Sequence, residues 1–277
     1  MNREEIRKEV TVIIAAHKKY RMPEDPMYLP LHVGAEGKKD ENGDPLDLGY
    51  AKDNTGDNIS ELNPSFCELT GLYWAWKNLD SRYTGLVHYR RHFGKKVKDD
   101  PFKGILKFED IAADLGRTRV FVPRKRKYYI ESLYSHYGHT HYAEHLDITR
   151  QIICEKYPDY TESYDRVVRH TYGFMFNMMI MERELLDDYC SWLFDILFEL
   201  KDRVGEDDLS AFQARFYGRV SEIIFNVWLD RQISSGRISD KEIKELGLIY
   251  MEKINWINKG GAFIKAKLFH KRYENSF

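Results

Sequence analysis

Val10 to Ala16 reads VTVIIAA, and this run decides the fold. It is apolar and rich in β-branched residues, the pattern of a strand buried on both faces of a parallel sheet. Its end delivers His17, Lys18 and Lys19. From Met22 to Asn58 the chain is rich in Pro, Gly, Asp and Asn, with turn formers at Glu41-Asn42-Gly43-Asp44 and Asn54-Thr55-Gly56-Asp57, and this predicts one long loop. Ordered loops of that length in compact domains commonly carry function.

Residues 63–93, NPSFCELTGLYWAWKNLDSRYTGLVHYRRHF, concentrate aromatic, acidic and basic side chains. Phe66, Leu69, Tyr73 and Trp76 recur with helical period after an Asn-Pro start signal, which predicts one helix over Ser65 to Leu79. Tyr83 to His88 reads as a short strand that runs out into Tyr89, Arg90, Arg91, His92 and Phe93. In open α/β sheets ligands bind beyond the carboxyl ends of strands. Two adjacent arginines there suit an anion, because guanidinium can donate two hydrogen bonds to a phosphate at once. A solvated basic turn covered by aromatic rings is the plainer reading of the same residues.

Further on, Arg117 to Lys127 (RTRVFVPRKRK) is basic around a short strand at Val120 to Val122 and reads as a positive strip or another strand end facing anions. Residues 128–156 are helical in character and carry His136, His139, His141 and His145. Zinc is disfavoured there, because no pair encloses a Glu as helical zinc motifs do. Phe174 to Met181 (FMFNMMIM) reads as an apolar strand interrupted by Asn177, an amide that is either stitched into the core or presented to a ligand. Leu185, Tyr189, Trp192, Leu193, Ile196 and Leu200 mark one amphipathic helix, and Val220, Ile223, Ile224, Val227 and Trp228 another, with Glu222 on its flank. The last 19 residues, Lys259 to Phe277, form a basic amphipathic tail, suited to anionic lipid or to docking on the protein body.

The chain of 277 residues suffices for one large α/β domain. Its 43 Lys and Arg against 44 Asp and Glu give no reason to expect a nucleic-acid partner. Cys67, Cys154 and Cys190 lie far apart and fit small core residues in a reducing compartment. A charged N-terminus without a signal peptide, and no apolar run of membrane-spanning length, predict a cytoplasmic protein.

Taken together, VIIAAHKKYRMP, YLPLHVGA, DNTGDNIS, NPSFCELTGLYWAWKN, GLVHYRRHF, EKYPDY, FNMMIM and YGRVSEIIFNVWL resemble a bacterial family of capsule, exopolysaccharide and O-antigen gene sets. That family is described by a domain of formerly unknown function, DUF4422, is now grouped with glycosyltransferases, and has galactofuranosyltransferase-like relatives. The resemblance covers nearly the whole chain. It implies a GT-A-like α/β fold with a mainly parallel central sheet and additional C-terminal helices, one domain over residues 1–258, and the tail after it. It also implies transfer of a sugar, first of all galactofuranose from UDP-galactofuranose, to a lipid-linked or oligosaccharide acceptor. Contact with the inner face of the membrane through the tail would follow.

No two Asp residues are separated by a single residue, so the Asp-x-Asp metal motif of GT-A enzymes is missing and HYRR stands in its place. A divalent metal remains possible as cofactor, though not on such a motif, and no metal-ligand residues are assigned. Arginines can neutralise a diphosphate directly. The nucleotide and diphosphate contacts implied are Ala15, with Ala16 beside it, His17, Lys18, Asn63, His88, Arg90 and Arg91. Glu222 resembles by position the late acidic residue of GT-A enzymes and is the candidate base; Asn177, Glu68, Asp57, Tyr73 and Trp76 are candidates for sugar or acceptor contacts. Two rivals stand beside this reading: a non-catalytic saccharide- or nucleotide-binding protein of the same fold, and a phosphotransferase or nuclease built on the histidines. The second lacks a phosphate-cradling Gly-rich loop.

Overall fold

A computed structural model describes residues 1–205 and 209–252. In chain order the elements are α1 (Arg3–Glu9), β1 (Val10–Ala16), β2 (Tyr28–His32), β3 (Ala51–Lys52), α2 (Asn63–Phe66), α3 (Leu69–Asn78), β4 (Tyr83–His88), β5 (Arg91–Phe93), α4 (Phe108–Ile111) and β6 (Val120–Pro123). There follow β7 (Arg126–Lys127), α5 (Leu133–Gly138), α6 (Glu144–Lys156), α7 (Thr161–Val167), β8 (Tyr172–Gly173), β9 (Met179–Glu182), α8 (Arg183–Val204), α9 (Phe216–Ser234), β10 (Ile243–Leu246) and β11 (Leu248–Tyr250).

The described chain gathers into two compact units. The first comprises Met1–Arg124, Phe176–Ser191 and Ser239–Met251, and the second is built on Lys125–Met175 and Trp192–Ile238. The first unit holds the main sheet, in the order β10-β6-β9-β4-β1-β2-β3. Pairing is parallel between β1 and β2, β1 and β4, β2 and β3, and β10 and β6; β9 runs antiparallel to β4 and β6. β1 lies at the heart of this sheet and is buried at every position, as its unbroken apolar run predicts.

Three sequence expectations change. The loop expected over Met22 to Asn58 contains β2 and β3. β2 is short and carries Pro30, so its propensity is weak, and pairing with β1 from Val12 with Tyr28 to Ala16 with His32 holds it extended. The single helix expected over Ser65 to Leu79 is broken at Cys67, whose φ of 54° is left-handed and cannot continue an α-helix. The strand expected over Phe174 to Met181 begins only at Met179, because Phe176 and Asn177 are also left-handed, at φ 77° and 52°.

In the second unit α6, α7 and α9 pack together. Tyr164 on α7 donates its hydroxyl to the Leu146 carbonyl on α6 at 2.6 Å. The predicted apolar stripe of α8 is buried at Leu185, Tyr189, Trp192, Leu193, Ile196 and Leu200. α9 is more than amphipathic: from Phe216 to Leu229 every residue except Arg219 is buried, so it is a central helix. Cys190 is buried, whereas Cys67 and Cys154 are half-buried.

Burial holds three imidazoles neutral, depressing His92, His141 and His145 from the ordinary 6.5 to about 4. The unfolded chain regains the ordinary value, so between about pH 6.5 and 4 unfolding takes up protons and stability falls as the pH falls. The urea midpoint is therefore expected to be clearly lower at about pH 5 than at about pH 7.5. Equal midpoints would mean that these rings are not buried in their neutral form.

Candidate functional site

The carboxyl ends of the parallel strands meet along one edge of the sheet. Register sets Ala15 beside His88, Ala16 beside His32, and His32 beside Lys52. The residues that follow β1, β2, β3 and β4 are thereby neighbours, however far apart in sequence.

Between β1 and β4 the contact is direct. The Tyr89 N–H donates to the Ala15 carbonyl at 3.2 Å. The His17 ring meets Tyr89 edge-on at 5.2 Å, and Tyr20 stacks on Tyr89 at 3.8 Å. The Lys18 ammonium lies 5.4 Å from the Tyr20 ring centre and the Arg90 guanidinium 5.1 Å from that of Tyr89. One aromatic pair thus braces cations from both strand ends. Rather than running out as a loop, residues 91–93 fold back as β5, antiparallel to β4 and paired with β11. Arg91 is half-buried there, 4.8 Å over the Phe176 ring, and the Met251 N–H donates to the Arg90 carbonyl at 3.0 Å.

The left-handed turn at Phe176 and Asn177 supplies the next contacts. Left-handed backbone at a non-glycine residue is strained and persists only where its surroundings over-determine it. His88 Nε2 lies 2.6 Å from the Phe176 carbonyl, which can only accept, so His88 carries a proton on Nε2. Asn177 donates Nδ2–H to Glu68 Oε1 at 2.8 Å. One turn therefore touches His88, Arg91 and, through Asn177, Glu68. Asn177 is 3% exposed, so it is a buried amide with a carboxylate partner.

The residue that sequence reasoning missed is Asp53, fully buried just after β3. Its carboxylate accepts from the Gly34 N–H at 2.8 Å, the Ala35 N–H at 3.0 Å, the Thr70 hydroxyl at 2.7 Å and the Ser60 hydroxyl. Asn63 lies alongside, donating Nδ2–H to the Cys67 carbonyl at 2.7 Å and to Thr70 Oγ1 at 3.1 Å. Gly34 is left-handed at φ 66°, and a Cβ there would fall 2.4 Å from Asn63 Oδ1. The available signal was an Asp ahead of Asn-Thr-Gly with hydroxyl residues following, but the same motif offered Asp57 as well.

Asp57, Tyr73 and Trp76 gather towards the other end of α3. Tyr73 donates its hydroxyl to Asp57 Oδ1 at 3.2 Å, and Asn78 Nδ2–H donates to the Asp57 carbonyl at 2.8 Å. Trp76 donates Nε1–H to Asp187 Oδ1 at 3.0 Å, and its carbonyl accepts from Arg183. Arg183 directly follows Glu182, which pairs with Tyr83 at the amino end of β4, so this group lies towards the edge of the sheet opposite His88.

Glu222 belongs to the second unit. It is 5% exposed on α9, where the sequence suggested a flank, and Oε1 accepts from Arg219 at 3.0 Å. The Tyr128 hydroxyl is pushed up to about 12, chiefly by burial, with the charges of Glu222 and Glu131 acting in the same direction. Asn226, one turn along, clasps the chain at Phe174: Oδ1 accepts from its N–H at 2.7 Å and Nδ2–H donates to its carbonyl at 2.9 Å. The histidine group divides. His136 and His139 share the two oxygens of Glu131 at 2.8 and 2.9 Å, while His141 pairs with Gln213 and His145 with the Tyr137 hydroxyl. Among the described residues no three His, Cys, Asp or Glu side chains are grouped as metal ligands.

The mainly parallel sheet with its C-terminal helices is GT-A-like, as its likeness to a solved glycosyltransferase shows. The solved structure of the WbbM bifunctional glycosyltransferase in its apo form matches with a TM-score of 0.78 and 26% identity over 88% of this chain. The chain spans 46% of the length of that structure. Residues 11–233 match the model of the domain of unknown function DUF4422, and the chain belongs to that family. No curated protein matches it.

Removing the Asp53 carboxylate would leave two backbone and two hydroxyl donors facing a void. Asp53→Ala is expected to cost about 3 kcal/mol or more. Asp53→Asn, which turns one acceptor oxygen into a donor among donors, should destabilise as well. Unchanged thermal melting in both variants would sink this account of the strand edge.

Proposed function

We propose that this protein is a nucleotide-sugar-dependent glycosyltransferase, a hexosyltransferase of bacterial surface-polysaccharide synthesis, which takes its sugar from a UDP-sugar, in the first place UDP-galactofuranose. The observation that carries the reading is the β1–β4 strand edge, where register sets Ala15 beside His88 and the stacked Tyr20 and Tyr89 rings bring His17 and Lys18 after β1 together with Arg90 after β4. Membership of DUF4422 and the likeness to a glycosyltransferase structure support it. Ala15, Ala16 and His17 would receive the nucleoside, with Asn63 supporting the neighbouring loop. Lys18, Arg90 and Arg91 would neutralise the diphosphate, and His88, anchored through its Nε2–H to the Phe176 carbonyl, would help to hold that strand end in place for it. A diphosphate leaving group needs its growing negative charge stabilised, and guanidinium and ammonium donors would supply that without an obligatory metal.

The paired Glu68 and Asn177 would bind sugar hydroxyls, since carboxylate and amide together accept and donate. Glu222 is proposed as the base that takes the acceptor hydroxyl proton as the new bond forms. The acceptor would be a lipid-linked saccharide. Membrane contact through the tail 259–277 concerns residues outside those described; among the described residues no helix is long and apolar enough to cross a membrane.

Calorimetry with UDP in chelator, repeated with manganese, tests the donor site. Binding without metal is expected, and Arg90→Ala or Arg91→Ala should each weaken it roughly 10- to 100-fold, the worth of a charged hydrogen bond. Undiminished affinity in both variants would overturn the arginine-held diphosphate. Binding that required manganese would keep the transferase and discard the metal-free account.

Glu222→Gln retains an acceptor for Arg219 and so preserves the fold. It is expected to lower UDP release from donor plus acceptor by roughly 100-fold or more while UDP affinity stays the same. Normal turnover would remove Glu222 as base. A protein that binds UDP-sugar but releases no UDP with any acceptor would instead be a binding module.

A further inference from the structure

Lys125 to Ile130 reads KRKYYI and builds an exposed knuckle on the second unit. β7 pairs antiparallel with β8, Arg126 opposite Gly173 and Lys127 opposite Tyr172, and the Tyr128 N–H donates to the Thr171 carbonyl at 2.7 Å. The ladder is short, yet it fixes a tip. Tyr129 takes a left-handed φ of 61° and is 81% exposed; Ile130 is 74% exposed and Tyr172 38%. These are three of the few large apolar side chains that the described chain leaves in solvent.

Next to the tip in sequence are Lys125, Arg126 and Lys127, all exposed. The Lys125 ammonium lies 5.2 Å from the Tyr172 ring centre and 5.0 Å from that of Phe174, and the Arg126 guanidinium 5.0 Å from that of Tyr128. The nearest acid in sequence, Glu131, is buried and committed to His136 and His139, so no carboxylate on this segment answers the cations. Exposed aromatic and aliphatic side chains beside exposed cations suit a bilayer interface: tyrosine rings settle at headgroup depth, and Lys and Arg meet lipid phosphates. The chain as a whole carries a net charge of −1, so attraction to an anionic surface must be local to such a patch.

We propose that the β7–β8 knuckle docks the protein on an anionic lipid bilayer, with Tyr129 and Ile130 entering the headgroup region and Lys125, Arg126 and Lys127 facing lipid phosphates. The inference stands apart from the donor chemistry, and its test uses no sugar nucleotide. Protein–protein or nucleic-acid docking is less suited to it, because exposed tyrosine and isoleucine directly beside exposed cations is the mixture that a bilayer interface accommodates.

Cosedimentation of the full chain with vesicles of phosphatidylcholine, with and without phosphatidylglycerol, is the first measurement. Binding is expected only with the anionic lipid and should fade as salt rises. At roughly fivefold per cation, combined Lys125→Glu, Arg126→Glu and Lys127→Glu is expected to weaken it by about a hundredfold or more. Tyr129→Ser with Ile130→Ser should weaken it several-fold without altering the salt dependence. Because the basic tail could also bind vesicles, Tyr129→Trp in the full chain locates the contact: brominated phosphatidylglycerol should quench it beyond the wild-type tryptophans. Equal binding to both vesicle types, wild-type affinity in the charge-reversed variant, or no added quenching would each overturn the proposal. Retention by an oligonucleotide without vesicle binding would do the same and assign the patch to nucleic acid.

Discussion

The buried carboxylate of Asp53 is the constraint on which the strand edge depends. A charge removed from water is tolerated only when donors replace the lost hydration. Here the donors come from the end of β2, from the turn before α2 and from the first turn of α3, so satisfying one side chain fixes three segments in place. The amides of Gly34 and Ala35 can reach it because Gly34 adopts a left-handed conformation against Asn63, where a side chain would collide. Asp53 binds nothing in the proposed reaction. It holds the scaffold from which other residues do.

A second constraint acts on the far side of β1. The left-handed pair Phe176 and Asn177 lies just ahead of β9, and its carbonyl and amide reach His88 and Glu68. A strained turn needs a rigid frame, and β9 supplies one by pairing antiparallel on both sides. The cations of the edge are placed differently from Asp53: Lys18, Arg90 and Arg91 lie over aromatic rings, which orient them. The proposed diphosphate site draws on both, the turn fixed by β9 and the ring-braced cations.

Much of this was legible in the residues. VTVIIAA can be satisfied only by burial on both faces, and the apolar period of α8 states which side is covered. GLVHYRRHF announced a strand ending in cations. What escaped were places where local preference and tertiary demand disagree. Nothing in NPSFCELTGLYWAWKN marks a break at Cys67, because the apolar period runs through it; the left-handed φ there serves the Asn63 to Cys67 hydrogen bond. YLPLH has too little strand character to be seen without β1 beside it. Asp53 and Asp57 share one motif, yet one is the buried centre of a hydrogen-bond cluster and the other pairs with Tyr73 near the end of α3.

By itself the sequence determined the class of fold, the central strand and the chemistry gathered after β4, because periodicity and burial preference are local properties that each segment carries. Only the tertiary structure decided which of those residues meet. Strand register put Ala15 beside His88 and left Trp76 at the opposite edge, and a turn more than a hundred residues after Glu68 gave it Asn177 as partner. Such pairings depend on how distant segments share one sheet. No window of sequence contains that information.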